Sequence, residues 1–279
     1  MYAANRKRAF VTGAGSGFGR VLCLALARRG YKIVATDINA NAANETALMI
    51  KEAAGEAESI RVDVTRPEDL ESGAERFCRE WGGIDLLINN AGVAVVGKLH
   101  EVKVEDWQFI VNTNLLSVVY GCRAFIPRMM QQGGGYIINV ASLAGIASLP
   151  EMGPYNTTKA AVVAISETLK VELRPHNIGV TVVCPSFFKT ALMDSFRGPE
   201  GLKNVGHAAI DTGRLSAEEI AEIALRDMER NRLYSIPHRA ARMIWRTKRL
   251  MPELLYHYLL PADTEKDGAR LISWLNKIK

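Results

Sequence analysis

The 279-residue sequence predicts an α/β fold in which one doubly wound parallel sheet carries helices on both faces. Three observations predict it. Short runs of aliphatic residues alternate with amphipathic stretches of helical length from about residue 8 to about residue 236. The run at 31–36 is apolar in the way of a strand buried on both faces of a parallel sheet. The first run also feeds a glycine-rich turn that opens a helix, an arrangement that cradles a phosphate at the carboxyl edge of such a sheet.

With 48% hydrophobic residues the chain can bury one large core, so we expect one domain over residues 1–238. A helical extension over residues 239–279 should pack on that domain or on a neighbouring subunit. The net charge of +5 and pI near 9.0 permit an acidic partner, but no nucleic-acid-binding motif or low-complexity tract accompanies them. Cys23, Cys78, Cys122 and Cys184 are scattered, with no CxxC and no histidine at ligand spacing, so neither a disulfide framework nor a metal site is indicated. No apolar run reaches the roughly 18 residues that span a bilayer. The basic start lacks a signal peptide's cleavage pattern, and a cytoplasmic location is expected. The five histidines share no spacing and read as incidental.

Taken in order, residues 8–12 form a strand that runs into Gly13, Gly17 and Gly19, and a helix follows over residues 20–29, stopping at Gly30. The dinucleotide fingerprint GxGxxG does not fit this turn; the spacing Thr12, Gly13, Gly17, Gly19 does. The second strand, residues 31–36, ends at Asp37. A carboxylate there can accept hydrogen bonds from an adenosine ribose and repels a 2′-phosphate, which favours NAD over NADP. Ile38 stands where an arginine could have bound that phosphate, and Ser16 adds no positive charge in the turn. A helix over about 41–54 precedes a strand at 59–62, then Asp63, Val64 and a helix opened by Pro67. Asp63 can meet the adenine amino group. The strand at 84–88 leads into Asn89, Asn90, Ala91 and Gly92, small enough for the main chain to run close to a cofactor. A long helix over about 104–131 carries Asn114. The strand at 136–140, the helix containing Tyr155, and the strand at 179–183 complete the pattern, followed by a helix at 217–229 and a last strand at 233–236.

Tyr155 and Lys159 are four apart, which on a helix puts both on one face. A free phenol has a pKa near 10, and a cation held nearby favours the phenolate. The pair is therefore a candidate proton-transfer couple, and Ser142, at the carboxyl end of the 136–140 strand, can offer a hydroxyl to the same substrate oxygen.

Thr12, Gly13, Gly17, Gly19, Asp63, Asn89 to Gly92, Asn114, Ser142, Tyr155, Lys159 and Pro185, in that order over residues 7–238, make the chain resemble a single-domain short-chain dehydrogenase/reductase. The resemblance implies a Rossmann-like fold and a nicotinamide cofactor. It makes Tyr155 the acid/base, Lys159 the residue that lowers its pKa and holds the nicotinamide ribose, and Ser142 the orienter of the substrate oxygen. Asn114 would position a water linking Lys159 to solvent. The implied NAD contacts are Gly13, Ser16, Gly17, Phe18, Gly19, Asp37, Asp63, Val64, Asn90, Ala91, Gly92, Pro185 and Thr190, with Tyr155 and Lys159 shared. Two departures stand out. Ser186 follows Pro185 where the family usually has glycine, and Ser117 replaces a glycine common in relatives. The helices bearing Asn114 and Tyr155 resemble the pair that builds a four-helix interface, so a homodimer or homotetramer is expected.

The reaction implied is interconversion of a secondary alcohol and its ketone. Val93 to Val96, Leu143, Ile146, Met152, Phe187, Phe188, Leu192 and Met193 are expected to line an apolar pocket, with a lid over about 191–215 and His207 near it. A hydrophobic substrate is favoured over a sugar. The alternative is a catalytically silent nucleotide-binding regulatory or scaffold protein. In the extension, Arg239, Arg242, Arg246 and Arg249 form a basic helical face, while Ile244, Leu250, Met251, Leu254, Leu255, Tyr258 and Leu259 supply an apolar side. Such a helix can lie on an anionic membrane or pack on the protein, and packing is the expectation.

Overall fold

The computed structural model describes residues 7–259. Its strands are β1 (Arg8–Thr12), β2 (Lys32–Asp37), β3 (Ala57–Arg61), β4 (Leu86–Asn89), β5 (Gly135–Val140), β6 (Ile178–Val183) and β7 (Tyr234–Ser235). All pair in parallel, in the order β3-β2-β1-β4-β5-β6-β7. The helices are α1 (Gly17–Ala27), α2 (Ala40–Glu52), α3 (Pro67–Trp81), α4 (Val104–Val111), α5 (Ser117–Gln131), α6 (Gly153–Glu172), α7 (Glu200–Asp211), α8 (Ala217–Glu229) and α9 (Arg239–Leu250). The sequence-predicted α/β class and doubly wound parallel sheet are thus what the chain forms.

Period-2 geometry explains why the inner strands are apolar on both faces, while the edge strand β3 keeps Glu58 and Arg61. Phe10, Leu87 and Ile137 point into the core beneath α3, α5 and α6, whereas Val11, Leu86, Ile88 and Ile138 point into the core beneath α1, α2 and α8. Phe10 anchors the first core, its ring 4.8 Å from Phe125 and 5.9 Å from Phe77 between centroids. Truncating it to alanine should cost about 3–5 kcal/mol. At the amino ends of the strands, Arg8 and Asp85 form a buried two-pronged ion pair with the Arg8 Nε to Asp85 Oδ2 distance at 2.7 Å. The strand expected at 84–88 runs over Leu86–Asn89.

The winding reverses between β1 and β4, which opens a crevice at their carboxyl ends. Two expectations about helices change. Helix α1 begins at Gly17 rather than Arg20, so the glycine turn is itself the helix start. The helix expected over 104–131 is interrupted by a π-helical turn at Asn112–Leu116. Contrary to the sequence reading, Val104–Gln131 is long and apolar enough by composition to cross a bilayer, but Ile110, Val118 and Phe125 along it are buried within the protein.

Helix α9 packs Ala240, Ala241 and Ile244 against the same core as α6, joined by Leu255. Lys248 Nζ donates to the Ile146 carbonyl at 2.6 Å, and Arg242 donates to the carbonyls of Ile236 and Pro237. Residues 260–279 of the expected extension lie outside the described residues.

Candidate active site

A cavity of about 810 Å³ runs along the carboxyl ends of β1, β4, β5 and β6, where the winding reverses. Its floor is the glycine turn. Gly13 adopts φ +63°, and a methyl there would come 2.8 Å from Ala91 Cα; a methyl at Gly19 would overlap the Gly13 carbonyl oxygen. Asn90 pins the turn by donating both amide hydrogens, to Thr12 O at 3.0 Å and Gly13 O at 3.1 Å. In return Thr12 Oγ1 accepts from the N–H groups of Asn90 and Ala91. Asn90, expected as a direct cofactor contact, thus acts through its amide on the turn, although it lines the cavity too. Helix α1 starts here without a side-chain cap from Ser16 and without an acidic residue in its first turn. Its first N–H groups and partial positive charge are left where Ser16, Gly17 and Phe18 line the cavity. A close main-chain cradle at an uncapped helix start fits a dinucleotide's phosphates.

Asp37, at the end of β2, accepts from Gly15 N through Oδ2 and from Asn39 N through Oδ1, both at 3.0 Å. Each oxygen retains acceptor capacity toward the cavity. Further along, Asp63 accepts from the Thr65 hydroxyl at 2.7 Å and lines the cavity with Val64, Ala91 and Gly92. Thr190 sits across the turn, where a methyl on Gly17 would come 3.2 Å from its hydroxyl. Pro185 O accepts from Leu143 N at 2.8 Å. Ser186 has no positive φ, so the missing glycine imposes no strain, and its N–H donates to His238 Nδ1 at 3.2 Å. His238 is therefore not incidental. Burial, then the Arg242 charge, draws its pKa down to about 4, which keeps it neutral and able to accept. Ser117 donates to Thr113 O and occupies its helical site without conflict.

Tyr155 and Lys159 lie one turn apart on the inward face of α6, 7% and 4% exposed, and both line the cavity. Lys159 Nζ donates to Val140 O at 2.9 Å and stands 5.8 Å from the Tyr155 ring centroid. Ser142 leaves β5 in extended conformation, accepts from Ala144 N at 3.1 Å and hydrogen-bonds the Tyr155 phenol. Sequence reading missed what holds these elements together. A methyl at Gly145 would meet Lys159 O at 2.5 Å, so the Ser142 loop lies backbone against backbone on α6. Only a glycine permits that approach.

The protonation states correct one expectation. Burial pushes the Tyr155 phenol up to about 12, opposed by the Ser142 hydrogen bond, whereas Lys159 was expected to lower it. Desolvation is the largest cause, and the Lys159 ammonium is turned to the Val140 carbonyl. Burial also draws Lys159 down to about 8. Near pH 7 the phenol holds its proton and the ammonium is mostly charged.

Asn114 does not line the cavity. It sits in the π-helical turn and grips Val93 by main chain on both sides, accepting from Val93 N at 2.8 Å and donating to Val93 O at 2.9 Å. Its amide is a brace between that turn and the loop after β4. Its oxygen nonetheless lies on the Gly92 side of Lys159, with both groups about equally close to a methyl placed at Gly92.

The far end of the cavity is apolar. Val93, Ala94, Val96, Leu143, Met152, Phe187, Phe188, Leu192 and Met193 line it as expected, whereas Val95 and Ile146 pack the core. Phe109, Leu149, Phe196, Leu202, Val205 and Ile210 line it as well, unforeseen because their side chains converge from α4, from α7 and from the loops before α6 and α7. The expected lid is a 3-10 turn, Ala191–Ser195, followed by α7. Arg197 ties it down: its N–H donates to Ala94 O, its carbonyl accepts from Val96 N, and its guanidinium pairs with Asp106 at 2.9 Å while lying 3.6 Å over the Phe109 ring. His207 is exposed on α7 and does not reach the cavity.

Residues 7–200 match the family model described as short chain dehydrogenase. The chain is 40% identical over 184 residues to the probable oxidoreductase EphD of Mycobacterium tuberculosis, covering 66% of this chain but only 31% of that much longer protein. It is 32% identical over 221 residues to a cyclohexanol dehydrogenase of Acinetobacter sp., covering 78% and 86% of the two chains. A short-chain dehydrogenase/reductase structure from Burkholderia phymatum in complex with NAD superposes with a TM-score of 0.85 at 31% identity, covering 94% of this chain and 99% of that one.

Proposed function

This chain belongs to the short-chain dehydrogenase family, and from that premise we propose that it is an NAD-dependent oxidoreductase interconverting a hydrophobic secondary alcohol and its ketone. The observation that carries the proposal is the meeting of Ser142, Tyr155 and Lys159 midway along a cavity that begins at a phosphate cradle and ends in apolar side chains. The glycine turn and α1 would hold the pyrophosphate, Asp37 the adenosine ribose, Asp63 and Val64 the adenine edge, and Lys159 with Thr190 the nicotinamide end. NAD, when bound, supplies the hydride acceptor or, reduced, the donor.

The protein's part is orientation and proton movement. Ser142 holds the substrate oxygen by its hydroxyl, and Tyr155 Oη gives that oxygen a proton in reduction or takes one in oxidation. Because burial keeps the phenol protonated, Tyr155 is a ready donor near pH 7, and oxidation, which needs the phenolate, should speed up with rising pH. Lys159 contributes a nearby positive charge that becomes more valuable as the phenolate forms.

The cavity also bears on substrate charge. Its charged lining residues among those described are Asp37, Asp63, Lys159 and Asp194, so the end under α7 offers an anion no cation. Burying a carboxylate there without a partner is costly. We therefore assign uncharged substrates, in keeping with the name of the Acinetobacter relative. The proposal includes assembly as a homodimer or homotetramer through α5 and α6.

The test is NADH formation, followed by its near-ultraviolet absorbance, against a panel of cyclic, aromatic and aliphatic secondary alcohols and their carboxylated analogues. Turnover of neutral members is expected. Tyr155→Phe should reduce kcat about 10²–10⁴-fold with NAD affinity retained. Tight NAD binding with no turnover across the panel would favour the silent regulatory alternative, and faster turnover of the carboxylated members would overturn the charge assignment.

A further inference from the structure

The outward face of α9 is unaccounted for by the core or the cavity. Arg239, Met243, Arg246 and Leu250 recur at intervals of three and four, so they share one face, opposite the buried Ala241 and Ile244. Directly after the helix, Met251, Leu254 and Tyr258 add further exposed apolar side chains. Leu250 and Tyr258 are 78% and 80% exposed, and this short stretch gathers a large share of the exposed large apolar side chains in the described residues. So many exposed apolar side chains in one short stretch mark a contact surface. Beside it, Arg239 and Arg246 have no carboxylate partner among the described residues.

We propose that this face is a docking surface for an anionic membrane, independent of the reaction assigned to the cavity. Leu250, Met251, Leu254 and Tyr258 enter the boundary between headgroups and acyl chains, while Arg239 and Arg246 pair with lipid phosphates. The expectation that the helix packs is thus half the account: its inner side is packed, and its outer side keeps the pattern of an interfacial helix. Charge selects the occupant. In a twofold contact between copies, the same arginines would face one another across the apolar stripe, a like-charge juxtaposition that opposes association. An anionic headgroup layer complements both the arginines and the apolar side chains. The inner packing matters equally, because it holds the stripe at a fixed angle to the domain without requiring the helix to fold at the membrane.

Flotation of the full chain tests this, using vesicles of phosphatidylcholine alone and of phosphatidylcholine with phosphatidylglycerol. The expected result is flotation with the anionic vesicles, release by added salt, and little flotation with the neutral ones. Leu250→Ser combined with Met251→Ser should abolish it. Arg239→Gln combined with Arg246→Gln should weaken it about thirtyfold. All four side chains are exposed, so both variants should keep the parent's melting temperature and NAD affinity. Absence of flotation, equal flotation with both lipids, or unchanged flotation of the variants would each overturn the proposal. So would concentration-dependent self-association that the serine variant removes while vesicle binding is absent, since the face would then join two copies.

Discussion

At the floor of the cavity Gly13, Gly19 and Gly145 approach neighbouring backbone more closely than a Cβ allows, whereas the roof is lined by side chains and meets backbone that closely only at its edges, Gly198 against Val96 O and Gly213 against Phe187 O. The floor is fixed by hydrogen bonds between main-chain groups and the side chains of Thr12, Asn90 and Asn114. The roof, residues 191–213, is held by the Arg197 contacts and by burial of Leu202 and Ile210. The difference teaches a division of labour. The proposed proton transfer needs a geometry that does not depend on which substrate arrives, and backbone contact would supply it. Substrate shape can vary at the roof without disturbing the floor.

The sharpest way to break that comparison is to add one methyl group to each part. Gly19→Ala places it on the Gly13 carbonyl, so the turn must move; a loss of roughly 3 kcal/mol or more in stability is expected, together with loss of measurable NAD binding. Gly206→Ala places it 2.9 Å from the terminal methyl of Met193, a flexible side chain that can swing aside. A change within about 1 kcal/mol is expected there. Thermal melts with NAD titration of the two variants compare them directly. Equal effects would mean that floor and roof are equally rigid.

The second test is electrostatic. Lys159 is held to about 8 in the folded protein, below its ordinary value of 10.5, so between those values the unfolded chain binds a proton that the folded one has released. Stability should therefore rise with pH through that window, and the full burial penalty applies below it. Tyr155 acts in the opposite sense, its raised pKa favouring the folded state until the pH climbs from 10 toward 12. Lys159→Met should accordingly melt higher than the parent at pH 7, by an amount that shrinks toward pH 10.5, while turnover is lost. A variant that melts lower at neutral pH would show that the hydrogen bond to Val140 O outweighs the cost of burying the charge.

The same division decides what could be read from the sequence. Glycine spacing, the strand-end Asp37 and the Tyr155 and Lys159 pair are local patterns, and the structure brings all of them to one cavity. Three features had no local signal. Gly145 is necessary only because Lys159 O lies opposite it in space, and the hold of the Asn90 amide on the glycine turn appears only when its partners across the β1–β4 crevice are seen. The phenol's shift likewise depends on burial by elements distant in sequence, so the residue types suggested acidification where the surroundings produce the reverse. The roof residues on α7 were the least legible, since a segment with scattered glycine and polar residues does not announce which side chains turn inward.

Asp37→Ala tests the edge of the floor. Loss of the carboxylate should weaken NAD by roughly 1.5–3 kcal/mol, the range for hydrogen bonds to a charged group. Part of this comes through the turn, because Asp37 also accepts from Gly15 N. NADP should gain relative to NAD, as the charge that repels a 2′-phosphate is gone. Isothermal titration with both cofactors measures the ratio, and tighter binding of NADP by the unmutated protein would reverse the cofactor assignment.

The smallest expected effect belongs to the roof itself. Arg197 is half exposed, so its pair with Asp106 contributes about 0–1 kcal/mol. Its stacking on Phe109 adds about 0.5–1 kcal/mol. Arg197→Ala should therefore raise KM for a bulky alcohol about three- to tenfold by loosening the tie between α7 and α4, with kcat little changed because Ser142, Tyr155 and Lys159 are held from below. Arg197→Lys retains the charge and loses the planar stack, so it separates the two contributions. A fall in kcat of similar size to the rise in KM would mean that the roof also sets the position of the reacting carbon, and the boundary between the two regions would then have to be drawn above Phe109 rather than beneath it.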